Sequence, residues 1–455
     1  DGWVDMTTRT ETIQVKDQGP THLKLRISPH GPIITDAYKD NYGRTPIAMW
    51  WAFLQTENPI LEAFYELNRA NTREKARSAV SKIHSPGLNV VWANTAGDIG
   101  WWAGGKLPQR PEGVNPMFIL DAAKGEAEKP GFYAFNFNPQ EENPARGYIV
   151  SANHQPQPAS GVPVPGYYNL PDRARRIDDV LKDPKRKWNI AGAQELQLDV
   201  SNGYSTRILK ELLPVLEQVV TDPNEKAFLE PLQKWDGFYT RDSVAATLFS
   251  QLMYELAKAT FEDELGEVQF KNLLRTRALD LGLPVLVADA KSPWWDNVNT
   301  PQSESRFETA RIAWAATYKH LSGLYGSTLL DWRWGNAHTL THGHPLGMQK
   351  PLDKLFNVGP FQVPGGRETP NNYSGSVGPA PWKVKYGPST RRVIDFAAPD
   401  KAVGGNPVGQ SGVLFDRHYQ DQAERFAEGI YEEQYLSERD VQAHTRSTLT
   451  LEPAR

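Results

Sequence analysis

The order of textures along the 455 residues predicts an α+β fold. Three observations carry that expectation. Alternating strand-like runs between Pro/Gly turns fill the chain to about residue 175, and helical periodicity replaces them to about 325. Short strands with dense Gly and Pro then return to the end. A β, helical, β order arises when the first and third regions build one sheet system and the middle is an excursion from it. The expected organisation is residues 1–175 as the first part of the core sheets, 176–325 as a helical insertion, and 326–455 as strands and helices returning to the core.

Within the first region the alternating runs are Thr8 to Val15, His22 to Ile27, Leu88 to Asn94 and Tyr148 to Ala152. One helix is expected from Asn58-Pro59 to Ile83, on the spacing of Leu61, Phe64, Tyr65, Leu67, Ala76 and Val80. In the second region Ile177 to Leu181, Ala191 to Leu198, Ser205 to Val219, Glu225 to Trp235, Ser243 to Leu265, Phe270 to Leu279 and Phe307 to Leu324 read as amphipathic helices. Pro214, Pro223 and Pro284 are expected to break them. Glu424 to Ala427 and Glu438 to His444 read as late helices.

Composition narrows the function classes. Hydrophobic residues make up 39% and charged residues 23%, which is globular rather than disordered. The formal charge of −4 gives no electrostatic reason for a nucleic acid or an anionic membrane as partner. The longest apolar runs, Ile47 to Leu54 and Val285 to Ala288, fall short of the ~20 residues of a bilayer span. Without cysteine there is no disulfide framework, thiolate metal site or cysteine nucleophile, and the composition fits an oxidising compartment. The start Asp1-Gly-Trp-Val enters a strand pattern directly, with no initiator methionine or signal segment, as in a processed or truncated piece of a larger precursor.

Several constellations invite chemistry. His338, His342 and His344 fall within seven residues, but no further ligand follows at a metal-like offset, so a framework role is expected. Gly365-Gly366, Gly404-Gly405 and Gly409-Gln-Ser-Gly412 lack the strand-to-helix context and lysine of a phosphate cradle and read as turns. The pairs Trp50-Trp51, Trp101-Trp102 and Trp294-Trp295 suit either an acyl pocket or core packing. No Gly-x-Ser-x-Gly elbow occurs, so no Ser-His-Asp triad is assigned.

The sharper signal is Gly147-Tyr-Ile-Val-Ser-Ala-Asn153-His154-Gln-Pro156, followed by Pro171-Asp172-Arg173, with the arginine twenty residues after the asparagine. Further blocks are His30-Gly31-Pro32-Ile33-Ile34, Asn89 to Trp101, Trp334-Gly335 through His344-Pro-Leu-Gly347, and Gly409-Gln-Ser-Gly412 with His418 to Gln422. In this order they resemble the large chain of the penicillin acylase family, which includes penicillin acylases and N-acyl-homoserine lactone acylases.

That resemblance implies an N-terminal nucleophile hydrolase with an αββα sandwich and a helical insertion, matured by autoproteolysis. It also implies an amide hydrolase that removes the acyl group from N-acyl-homoserine lactones or penicillin-type β-lactams through a serine acyl-enzyme. The family's nucleophile serine opens the large chain and uses its own α-amine as base, a group whose ordinary pKa of about 7.7–8.0 suits the task. Residue 1 here is Asp, so the nucleophile is expected on a companion chain or segment of the same precursor. Asn153 matches the family asparagine whose amide donates to the oxyanion, and Arg173 the arginine that orients it. His154 stands where relatives carry another residue and is expected to serve the turn. Many penicillin acylases hold a structural calcium through a carboxylate between the Asn and the Arg. The sole carboxylate there is Asp172, adjoining Arg173, so that ligand is missing and no cofactor is expected. The expected location is periplasmic or secreted. A scaffold or periplasmic ligand-binding protein of the same fold without its nucleophile is the competing reading.

Overall fold

The computed structural model describes residues 3–37, 45–157 and 160–453 of a mixed α and β chain, so Asp1, on which the expectation of a processed or truncated start rests, lies outside them. The chain forms two compact units, one of residues 1–151 with 155–168 and the other of residues 152–154 with 169–455. The helical region and the strands that follow it thus belong to one unit.

The first unit carries two three-stranded antiparallel sheets. Thr7–Ile13 pairs with Thr21–Ser28 from Thr7 opposite Ile27 to Ile13 opposite Thr21, and Gly31–Pro32 adds a short third strand. Leu88–Ala93, Ile99–Gly104 and Gln140–Glu142 make the second sheet, of which Ile99–Gly104 is the centre. The expected single helix from 58 to 83 is two helices, Ile60–Leu67 and Arg73–Val80. Its break has a local cause: Thr72 is an N-cap whose hydroxyl accepts from the Lys75 N–H, restarting the helix after Asn68. Ala63, Ala76, Val80, Ile83 and Trp102 pack into this unit's core. Beneath it Glu142 accepts from the Trp102 indole (2.9 Å) and Arg77 Nε (2.6 Å). The expected strand Tyr148 to Ala152 forms no strand and pairs in no ladder among the described residues.

In the second unit the side chains of Asn189, Asn202, Asp222, Ser243, Ser305 and Ser437 each cap a helix by accepting from the backbone of its first turn. Two expected proline breaks fail. Pro214 lies inside Gly203–Val219 and Pro284 inside Arg277–Ala288. The helix end expected at Leu265 is met by a break in helical geometry at Gly266, whereas the helix expected from Phe270 to Leu279 is split between two elements. Val244–Leu273 runs on past a kink at Gly266 (φ +72°, ψ 161°), a conformation glycine adopts without steric penalty, and the next helix starts only at Arg277. The large apolar core of this unit gathers Ile208, Leu212, Leu216, Leu248, Leu252, Leu256, Trp314 and Trp332.

A small sheet orders Val358–Gln362, His338–His342 and Trp382–Lys383, with His338–His342 central, antiparallel to the first and parallel to the second. His338, 1% exposed, stacks on Trp334 (4.4 Å between centroids), and its Nδ1 bonds the Val363 carbonyl at 3.0 Å. Burial pushes this imidazole down to about 4, so it stays neutral in the fold. An unfolded histidine titrates near 6.5 and would take a proton that the folded one refuses. Stability of this unit should therefore fall as pH drops from about 6.5 toward 4, by up to about 3 kcal/mol. Urea midpoints across that window should drop for the native chain and less steeply for His338→Gln.

Candidate active site

The helix Asp172–Leu181 begins right after Pro171, whose ring fixes φ and so favours starting a helix where it stands. Its first residue, Asp172, is 4% exposed and is gripped by a forked pair from Arg207, Nη1 at 2.5 Å and Nη2 at 3.1 Å. That pair fixes the start of the helix, and with it the next residue, Arg173. Asp172→Ala would strand the Arg207 guanidinium, and we expect a loss of about 2–3 kcal/mol in urea unfolding. This is less than for a fully buried pair, because 41% of the Arg207 side chain reaches solvent.

From this anchored turn Arg173 reaches back to the segment Ala152 to His154. Its Nη2 donates to the Asn153 side-chain oxygen at 2.6 Å and to the Ala152 carbonyl at 2.8 Å. The Asn153 backbone is left-handed (φ +60°), a conformation asparagine tolerates better than most residues. Its carbonyl accepts from the Asn169 N–H at 3.0 Å, and His154 forms a parallel bridge to Asn169. Turn and side chain are thus held from two directions. Because the amide oxygen is committed to Arg173, the amide's two N–H donors on Nδ2 point elsewhere, and Asn153 is exposed. The geometry offers one oriented neutral donor at a surface position, backed by a fixed cation.

Electrostatics follow from burial. Desolvation lowers Arg173 from its ordinary value, opposed first by the Glu368 carboxylate and then by Tyr386, and a guanidinium so partnered stays charged. Desolvation and the Arg173 charge together push His154 below its ordinary range, keeping it neutral beside the pair. Glu368, Arg367, Arg277 and Asp280 form an ionic cluster in this unit that sequence reading passed over. Their only visible trace was Gly365-Gly366, read as a turn. The cluster is assembled by residues nearly a hundred positions apart, which no local pattern reveals.

Other sequence candidates take framework places. His344 stacks on Phe356 (4.9 Å), His338 on Trp334, and no three His, Asp or Glu among the described residues are arranged to hold a metal. Calcium does not fit at Asp172, whose two oxygens are both taken by Arg207. Trp102 and Trp295 are core residues, Trp50 lies 5.9 Å from Phe132, and Gly404-Gly405 lie in a strand.

The penicillin amidase family model matches residues 1–443. Acyl-homoserine lactone acylase QuiP of Pseudomonas aeruginosa is 25% identical over all of this chain and 58% of its own length. Its namesake from Pseudomonas syringae pv. tomato is 26% identical, over 57% of its length. Penicillin G acylase of Escherichia coli is 24% identical, over 98% of this chain and 54% of that protein. The chain therefore spans little more than half the length of these relatives. A solved thermostable penicillin G acylase from Alcaligenes faecalis superposes with a TM-score of 0.65 at 19% identity, over 99% of this chain and 82% of that one, which speaks to fold alone.

Proposed function

The chain belongs to the penicillin amidase family, and from that premise we propose that it is the oxyanion-stabilising part of an N-terminal nucleophile amide hydrolase. Its substrates are N-acylated small molecules, acyl-homoserine lactones or penicillin-type β-lactams. The observation that carries the reading is the Arg173 to Asn153 hydrogen bond, which turns a neutral amide donor outward on a fixed mount. The sheets described here join further strands of a companion segment in an αββα sandwich, with 176–325 as its helical insertion. We place the assembled protein in the periplasm or outside the cell.

A hydroxyl nucleophile on the companion segment attacks the acyl carbonyl carbon, and its proton passes to the segment's own α-amine. The C=O π electrons move onto oxygen, and Asn153 Nδ2–H donates to that oxyanion. Collapse breaks the C–N bond, the leaving amine takes the proton from the α-ammonium, and the acyl group stays on the nucleophile. Water repeats the sequence and releases the carboxylic acid. Asn153 is suited to this because an amide has no proton to lose at working pH, and such a donor typically contributes about 2.7–4 kcal/mol to the transition state. Arg173 holds the amide oxygen and, as a permanent cation, favours the neutral form of a nearby amine.

The test is chemical. Every chain of the purified mature protein is sequenced from its N-terminus, and the protein is assayed on acyl-homoserine lactones of graded chain length and on penicillin G. A companion chain opening with Ser, Thr or Cys and release of free amine are the expected results. A protein without such a chain, inert to the whole panel, is a binding scaffold instead.

A further inference from the structure

We propose that Glu368 is a positioning residue for Arg173: a buried carboxylate, set in a left-handed turn, that fixes the far side of the guanidinium whose near side grips Asn153. This rests on the reading of Asn153 and Arg173 given above.

Glu368 is 5% exposed and has φ +60°, a conformation a long side chain adopts only where its surroundings impose it. The surroundings do. Buried Thr369 accepts from the Gly366 N–H (3.1 Å) and donates to the Asn371 carbonyl (2.8 Å), while Asn202 Nδ2 donates to the Arg367 carbonyl (2.7 Å). The Asn371 N–H reaches the Asp199 carbonyl at 2.8 Å. The turn that carries Glu368 is therefore pinned to the segment from Asp199 to Asn202. The helix of Arg173 is pinned to the same stretch through Arg176 Nε to Asp199 (2.9 Å), and to the helix that follows it through Asp172 to Arg207. Two elements hung from one segment bring the carboxylate near enough for its charge to act on the guanidinium.

Two guanidiniums, Arg277 and Arg367, share the carboxylates of Glu368 and Asp280, and Arg173 pairs with neither directly but feels the Glu368 charge. Arg277 Nη1 lies 3.2 Å from Glu368 Oε1 and 3.1 Å from Asp280, and Arg367 Nη2 lies 2.6 Å from Asp280 Oδ1. Glu368 Oε2 and Arg173 Nε are both buried without a hydrogen-bond partner. They are an acceptor and a donor of opposite charge, and leaving either buried and unmade is costly. Glu368 is also the first group opposing the effect of burial on Arg173, ahead of Tyr386. A guanidinium held only through Nη2 can swing about its own stem. Held at Nε as well, through one water between it and the Glu368 carboxylate, it keeps Nη2 aimed at Asn153.

The experiment uses the complete, processed protein and reads kcat per titrated active site, so that a smaller folded fraction does not mimic a slower enzyme. Glu368→Gln should lower kcat about tenfold with KM within about twofold. In an Arg173→Ala background the same change should move the residual kcat by less than about twofold, the non-additivity expected of residues acting through one another. Glu368→Asp, which keeps the charge, should recover part of the loss, and it replaces Glu368→Gln in the cycle if that variant fails to process. Full kcat in Glu368→Gln while Arg173→Ala is crippled overturns the proposal and leaves the Asn153 and Arg173 reading intact. An equal loss in both backgrounds overturns it too, since Glu368 then acts independently of Arg173. A fully active Arg173→Ala removes the site reading and this inference together.

Discussion

Asn153→Ala, in the processed protein, lowers kcat by about 10²–10³-fold and leaves KM within a few-fold. The asymmetry is the point. The Asn153 donor meets its main partner only when the carbonyl oxygen becomes an oxyanion, so its loss falls on the transition state and spares ground-state binding. The structure adds a reason for the size of the effect. Arg173 occupies the amide oxygen at 2.6 Å, so the donor is oriented before substrate arrives, and no reorganisation is needed during reaction. Steady-state kinetics on protein whose processing has been checked by mass measures it, because the same donor serves autoproteolysis if that step passes through an oxyanion. A kcat within a few-fold of the native value takes Asn153 out of the site.

Arg173→Lys should be nearly as damaging as Arg173→Ala, each lowering kcat by about 10²-fold. Arg173 uses one nitrogen to hold two oxygens, on Asn153 and Ala152, within a planar group whose orientation is set by its stem. A lysine ammonium is a flexible point charge on a thinner chain and keeps the charge without the plane. If only the positive field mattered, Lys would restore most of the activity. Retention of most activity by Arg173→Lys would thus leave a field effect on the nucleophile's amine and remove the geometric role.

The parts of the fold written in local pattern were legible. Gly203–Val219 and Arg306–Tyr325 carry unbroken helical periodicity behind an Asn and a Ser cap, and their expected extents differ from the observed ones by one or two residues. Proline misled twice, because Pro214 and Pro284 sit inside helices whose packing into the large apolar core outweighs one lost hydrogen bond each. Ile99–Gly104 went unnoticed as a strand because two glycines and two adjacent tryptophans break the alternation, although it is the centre of its sheet. Asn153 and Arg173 were singled out by resemblance to a family motif, and no period or spacing rule would have joined them. Glu368 and Asp280 stayed invisible because their meaning exists only in three dimensions: a carboxylate in sequence carries no mark of being 5% exposed beside Arg277 and Arg367.

The central claim is that the outward amide of Asn153 receives the developing negative charge of an acyl-transfer reaction. A crystal structure of the complete processed protein with a boronate or phosphonate adduct on its nucleophile tests it most directly. The account predicts an adduct oxygen about 2.7–3.1 Å from Asn153 Nδ2, with the Asn153 oxygen still bonded to Arg173. An adduct whose oxygens all lie beyond hydrogen-bond reach of Nδ2, or an Asn153 flipped to offer its oxygen instead, would contradict it.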